Sequence, residues 1–320
     1  MATKKLDKVE EEAPALKELS PTEKFVKSIY EADEVFEMPP ADKYSWGAWS
    51  ISKLKVLRKC SFQFYLKYLL KIKVPEDVAG RPDTVSADVG SAAHLILEHV
   101  MCGKSLAESF ILARKSYGPD KLTDEIWENR VKTLEVSILA FKERMDSLGR
   151  RHKIKRVFTE LRIGVTKDWE PTGFFAKDVY IRGVIDLIVQ LEDGCILIFD
   201  HKTGGGEGSL RPYEDQLNSY KVLFHFGIEP IKGAQSYIHF IQAGEVKPSY
   251  FSDVKEIEGK LKTMLEFDIE GAIDGVKELG FFKHVRGTYC KWCDFDNVCK
   301  SKELKPLELG TKKYFSIKPV

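Results

Sequence analysis

Apolar positions recur with a helical period at both ends of this chain and with a strand period in its middle. Leu54, Leu57, Phe64 and Tyr68 fall at helical spacing, predicting a helix opened by Ser50 and stopped by Pro75. Its other faces carry Lys53, Lys55, Arg58, Lys59, Lys67 and Lys71, interleaved with Phe62 and Tyr65. A shorter helix upstream is capped by Ser20, with Pro21 in its first turn and Glu23 completing a capping box, and ends at Pro39-Pro40. From Asp88 to about Gly149 the pattern is helical throughout. Segments 157–165, 179–190 and 195–203 are rich in β-branched and aromatic residues and read as strands. Only Glu192-Asp193-Gly194 separates the last two, so they form an antiparallel hairpin. A glycine-rich loop, Gly204–Gly208, leads to a helix from Pro212 to Phe226, then a strand over 234–242, then a long helical stretch after Asp253. Helices, three strands, a helix and a strand predict an α/β fold with a mixed sheet.

Composition narrows the class. The 320 residues are 43% hydrophobic, enough for a sizeable core and too many for a disordered chain. No apolar run approaches the ~20 residues that span a bilayer. The first twenty residues are charged and lack a hydrophobic stretch, so no secretory signal and no membrane association are expected, and a cytoplasmic location is. In a reducing compartment the six cysteines read as metal ligands or core thiols rather than cystines. The net charge of +1 is unevenly spread: residues 1–40 carry −4 and the remainder +5. An acidic tail over 1–40, a mildly basic folded unit over 41–305 and a polar tail over 306–320 are the expected parts, a balance that permits a polyanionic partner.

The chemistry points to the hairpin. Asp186 lies within Val-Ile-Asp-Leu-Ile-Val, and Asp200 follows Ile-Leu-Ile-Phe. Carboxylates among such neighbours are costly to bury unless paired or bound to a cation. Alternation puts Asp200 and Lys202 on one face. A three-residue loop at 192–194 sets Asp186 opposite Asp200, whereas a two-residue turn sets it opposite His201. The first register is predicted, because it alone gathers both acids and the lysine. Two carboxylates and an ammonium on one face suit a divalent metal and phosphodiester hydrolysis.

The order Gly90-x-x-x-His94, Glu160 on a strand, Gly183-Val-Ile-Asp186, Asp200-His-Lys202-Thr, then Gln216 and Tyr220, resembles the PD-(D/E)XK nucleases of the RecB type over roughly residues 45–300. The resemblance implies a restriction-endonuclease-like αβββαβ core with a mixed central sheet, flanking helices and a helical insertion. It also implies site roles. His94, Asp186, Asp200 and Glu160 would be ligands of Mg2+ or Mn2+, with Glu160 an outer or second-metal acid. Lys202 would be the catalytic lysine, and Gln216 and Tyr220 would touch the scissile strand or brace that lysine.

Cys290-x-x-Cys293-x5-Cys299 brings three thiols within ligand reach in one loop, and Cys60, Cys102 and Cys195 compete to be the fourth. A distant N-terminal cysteine, Cys60, with a C-terminal trio resembles the iron–sulfur subset of these nucleases, the AddB-type and CRISPR-adaptation proteins. That resemblance implies a structural [4Fe–4S] cluster, with zinc as its rival.

A Ser-x-x-Lys at Ser50–Lys53 and a Lys-Thr-Gly at Lys202–Gly204 mimic penicillin-binding enzymes, but no Ser-Asp-Asn accompanies them. No Walker motif is present, so a helicase or recombinase partner would be a separate chain. The reading reached is a metal-dependent deoxyribonuclease, an exonuclease on single strands or duplex ends in bacterial recombination, repair or phage DNA processing. A binding module without turnover and a structure-selective endonuclease are the alternatives. DNA contacts are expected from Lys53, Arg58, Lys59 and Lys67 and from the glycine loop, by phosphate neutralisation and base stacking.

Overall fold

The computed structural model describes residues 20–22, 24, 46–75, 85–204, 209–279 and 282–300. The acidic tail, the C-terminal tail, most of the helix after Ser20 and the glycine loop beyond Gly204 lie outside the described residues. A six-stranded sheet runs in the order β2-β1-β3-β4-β5-β6: β1 Ile154–Val165, β2 Pro171–Thr172, β3 Ile181–Leu191, β4 Cys195–Lys202, β5 Gly233–Phe240 and β6 Glu245–Asp253. All neighbours are antiparallel except β4 and β5. The parallel pair needs a crossover, supplied by the helix Arg211–Gly227. This is a mixed α/β sheet with flanking helices, as the restriction-endonuclease-like expectation requires.

Helices cover both faces. On one lie α1 (Ile51–Lys59), α2 (Ser61–Phe64), α7 (Arg211–Gly227) and α9 (Lys262–Leu279), packed on Ile185, Ile196 and Ile198. On the other lie α3 (Val85–Met101), α4 (Leu106–Ser116), α5 (Asp124–Ile126) and α6 (Glu135–Arg151), packed on Leu187, Val189 and Phe199. Two short helices complete the chain, α8 (Val254–Glu256) and α10 (Asp296–Lys300). Period-2 alternation along β4 therefore sends Ile196, Ile198 and Asp200 toward α7, and Phe199 and His201 the other way.

Two helical readings need correction. The basic helix is not continuous to Pro75. Ser50 caps its start as expected, accepting the Lys53 amide at 3.2 Å, but the chain becomes extended at Cys60 (φ −156°) and restarts as α2 and a π-turn over Tyr65–Leu69. The stretch from Asp88 to Gly149 is likewise broken, at Gly103 (φ +88°) and again between α4 and α5. Edge strand β6 carries no strand signature in the sequence, since it is largely solvent-facing and contains Pro248.

Candidate metal-dependent active site

The ladder between β3 and β4 pairs Leu187 with Phe199, Ile188 with Ile198, Val189 with Leu197 and Gln190 with Ile196. That is the register of the three-residue loop, and one step further it sets Asp186 against Asp200. On the other side of β3, Thr159 pairs with Leu187 and Leu161 with Ile185, so Glu160 stands across from Asp186. Three acids thus lie in a row over three adjacent strands. At Asp186 the ladder has ended, and its Oδ2 accepts the His201 amide at 2.6 Å, satisfying a backbone donor the sheet no longer holds. Glu160 has a left-handed φ of +45°, an unfavourable conformation for a residue with a Cβ, of the kind that persists where the surroundings impose it.

His94 reaches this row from α3. Gly90 permits the approach: a Cβ there would lie 3.2 Å from Thr203 Oγ1 at the end of β4, and Ala92 and Ala93 are fully buried against the sheet side. The ring Nε2 lies 3.1 Å from the His201 carbonyl, which can only accept, so Nε2 carries the hydrogen. Nδ1 is therefore the atom facing the acids, 3.7 Å from Glu160 Oε1 and 3.6 Å from Asp186 Oδ1. Ligand atoms of His94, Glu160 and Asp186 all lie within 4.8 Å of one another. A ring oriented through its second nitrogen beside two carboxylate oxygens fits a divalent cation.

Asp200 is 1% exposed, and its Oδ1 accepts from Gln216 Nε2 at 2.9 Å. Its Oδ2 has no hydrogen bond of good geometry and lies 2.5 Å from Lys202 Nζ. The same Gln216 nitrogen donates to Tyr220 OH at 2.6 Å, one turn along α7. The structure so divides the expected residues into two connected groups, His94–Glu160–Asp186 and Asp200–Lys202–Gln216–Tyr220.

Electrostatics follow from crowding acids in a dry place. Burial first, and then the Asp200 charge, push the Asp186 carboxyl up to about 7. Burial also raises Asp200, against the pull of Lys202. For His94 burial opposes protonation, but Glu160 and Asp186 together outweigh it and the ring titrates higher than usual. Without a cation the pocket holds protons, and with one it can release them. A cavity of about 590 Å³ opens onto this side, lined by His94, Glu160, Arg162, Tyr117 and Thr203 among others.

Some expected contacts are not where the sequence put them. Lys53 is 8% exposed: its ammonium donates to the Trp46 carbonyl at 2.5 Å and the Ala48 carbonyl at 3.2 Å, and lies over the Trp49, Phe64 and Tyr68 rings. It braces the entry to α1 and cannot meet a phosphate. Phe62 and Tyr65 are core residues, with Tyr65 stacked on Phe282 at 4.7 Å, so neither is free to stack a base. Arg58 pairs with Asp268 and lies 3.7 Å from Asp215, Lys67 lies 3.7 Å from Asp294, and Lys59 is exposed. Lys55, which sequence reasoning left among the basic residues of its helix, donates to the Pro212 carbonyl at 2.8 Å. Burial lowers its pKa, and the Asp200 and Lys202 charges both reach it. Nothing in an amphipathic pattern marks one surface lysine over its neighbours.

The four cysteines of the expected clip occupy one corner. Cys60 sits at the break between α1 and α2, its Sγ accepting the Gln63 amide at 3.4 Å, and Cys290 Sγ accepts the Gly287 amide at 3.3 Å. Ser61 Oγ and the Lys283 backbone bond each other in both directions, tying the two segments. Burial, and then the neighbouring thiols, push Cys293 up to about 11 and Cys299 up to about 12, Cys60 and Cys290 contributing to both. Among the described residues no three of these sulfurs lie within 4.8 Å of one another.

Comparison with known proteins places the chain. One component of the ATP-dependent helicase/deoxyribonuclease of Lactococcus lactis subsp. lactis is 25% identical over 276 residues, 79% of this chain and 24% of that protein. The exonuclease/helicase component RexB of Lactococcus lactis subsp. cremoris is 24% identical over 250 residues, 71% of this chain and 22% of that protein. The chain thus spans about a quarter of the length of the curated relatives it matches. A solved structure of a conjectured exonuclease from Eubacterium rectale superposes with a TM-score of 0.45 at 15% identity, covering 84% of this chain and 95% of that one, a likeness too loose to add to the assignment. No described helix is long and apolar enough to cross a membrane. Residues 48–300, which carry the sheet, the acid row and the cysteine corner, match the PD-(D/E)XK nuclease superfamily, and to that family this chain belongs.

Proposed function

We propose that this chain is a divalent-cation-dependent deoxyribonuclease, working as an exonuclease. The observation that carries the reading is the convergence of Glu160, Asp186 and Asp200 across β1, β3 and β4 with His94 on one side and Lys202 on the other. His94, Glu160 and Asp186, with Asp200 adjoining, would hold Mg2+ or Mn2+, and a nitrogen ligand makes Mn2+ at least as suitable as Mg2+. Such an ion, when bound, supplies Lewis-acid stabilisation of the charge that grows on the phosphate. The chain does the rest. Lys202, aimed by Asp200, orients the attacking water and offsets negative charge on the phosphate as the new P–O bond forms and the ester P–O bond breaks. Gln216 fixes the Asp200 rotamer, and Tyr220 fixes Gln216.

For the cysteine corner we propose a [4Fe–4S] cluster with a structural role. Three cysteines in one short segment with Cys60 beside them, and amide donors to the Cys60 and Cys290 sulfurs, support the reading. The lactococcal relatives are named as helicase and nuclease components, which supports a helicase partner and DNA as substrate. Arg58, Lys59 and Lys67 stay as proposed DNA contacts.

The test is digestion of end-labelled DNA with Mg2+, Mn2+ or chelator. Stepwise shortening that needs the ion and vanishes in Asp200→Ala is expected. A wild type that binds DNA tightly and leaves it intact with either ion would refute the enzyme and favour a binding module.

A further inference from the structure

A second cavity, of about 290 Å³, adjoins the site on the Asp200 side. Its walls are Ser50 and Ser52 at the start of α1, Arg182 and Gly183 at the start of β3, Gln216, Ser219 and Tyr220 on α7, and Phe174 from the loop before β3. Gln216 belongs both to this wall and to the Asp200 carboxylate, so whatever fills the cavity lies against the reacting phosphate's surroundings. The frame is fixed: the Trp49 amide donates to the Tyr180 carbonyl at 2.7 Å, and the Arg182 amide to the Trp49 carbonyl at 2.9 Å. The floor is kept open by Gly183, where a Cβ would lie 2.8 Å from Leu223 and 3.3 Å from Tyr220.

The rim carries a guanidinium at its edge. Arg182 donates to the Phe174 carbonyl at 2.9 Å, and its guanidinium lies 4.8 Å from the Phe174 ring and 5.6 Å from the Phe175 ring. Among the described residues no carboxylate pairs with it. Phe175 is 75% exposed, its ring edge-on to Phe174 at 4.9 Å. A flat cation beside two aromatic rings at the mouth of a polar pocket is a combination that grips single-stranded nucleic acid, by stacking on a ring plane and charge for the phosphate.

We propose that this cavity takes the base of the nucleotide flanking the scissile phosphate, stacked on Phe174, with Arg182 on that nucleotide's phosphate. A base so placed has left its partner, so the strand entering the site is single. The inference rests on the nuclease reading and names its substrate.

Oligonucleotides bearing one abasic residue at successive positions are digested by the wild type and by Phe174→Ala. Expected is a pause at one fixed offset, where cleavage slows by about tenfold. Phe174→Ala should cleave intact strands about tenfold more slowly with the loss in KM, show no abasic penalty, and recover both in Phe174→Trp. A parallel binding arm uses 2-aminopurine at the paused position and Lys202→Ala, with fluorescence quenched on binding and restored by adding Phe174→Ala. Cleavage with no offset and no quenching overturns the pocket. Quenching without cleavage by any form leaves the pocket and removes the nuclease instead. Equal slowing of intact and abasic strands by Phe174→Ala assigns the loop a structural role and also overturns the proposal.

Discussion

Replacing Asp186 by Asn tests the acid row directly. In the cation-free protein Asp186 titrates at about 7 rather than at its ordinary 3.8. The folded state therefore holds a proton that the unfolded chain gives up. Stability from this group is undiminished below pH ~4, declines as pH rises between ~4 and ~7, and stays low above. At 1.36 kcal/mol per unit the full penalty is ~4 kcal/mol, a ceiling because Asp200 shares it. Asparagine is isosteric, keeps an oxygen for the His201 amide and cannot ionise. Asp186→Asn should therefore be more stable than the wild type by on the order of 3 kcal/mol at pH 8 in chelator, several degrees in Tm, and equal to it at pH 4. Mn2+ at 1,000 times its Kd should reverse the order, since it stabilises the wild type by about 4.1 kcal/mol and finds the central carboxylate missing in the variant. Scanning calorimetry at pH 4, 6 and 8 with and without Mn2+ reads all of this. An Asn variant less stable than the wild type at pH 8 in chelator, or one equally stabilised by Mn2+, would refute the crowded-acid account.

Lys202→Ala should cut the cleavage rate by about 10²- to 10⁴-fold with the fold kept and Tm lowered, because the rate loss falls on the transition state while buried Asp200 loses its cation; single-turnover kinetics distinguish this from weakened binding. Gly183→Val should place atoms inside contact distance of Leu223 and Tyr220, displacing α7 and the Gln216–Asp200 bond; a Tm drop worth about 1–3 kcal/mol and a fall in kcat are expected, and normal values would mean the floor yields freely. Cys293→Ser should lower iron content and stability together while leaving residual cleavage per folded molecule intact. A colourless wild type carrying zinc would refute the cluster. Digestion should slow steeply as salt rises, and a shallow dependence would count against the proposed contacts of Arg58, Lys59 and Lys67.

Much of this was legible in the chain. The hairpin, its register and the opposition of Asp186 and Asp200 follow from a three-residue loop and a period of two, local rules that leave little freedom. The α7 pair Gln216 and Tyr220 follows from one helical turn. Tertiary structure decided what local rules cannot reach. It chose Glu160 as a full member of the acid row by pairing β1 with β3, a contact between segments whose alternation alone allows either face. It drew Lys53, Phe62 and Tyr65 inward, because carbonyls and rings that meet them come from residues 46–49, 282 and 284, outside their own helices. It also separated the two cavities on either side of the acids. Sequence sets which groups a strand or helix presents on a face. Only packing between distant elements determines whether that face meets water, a core or a substrate.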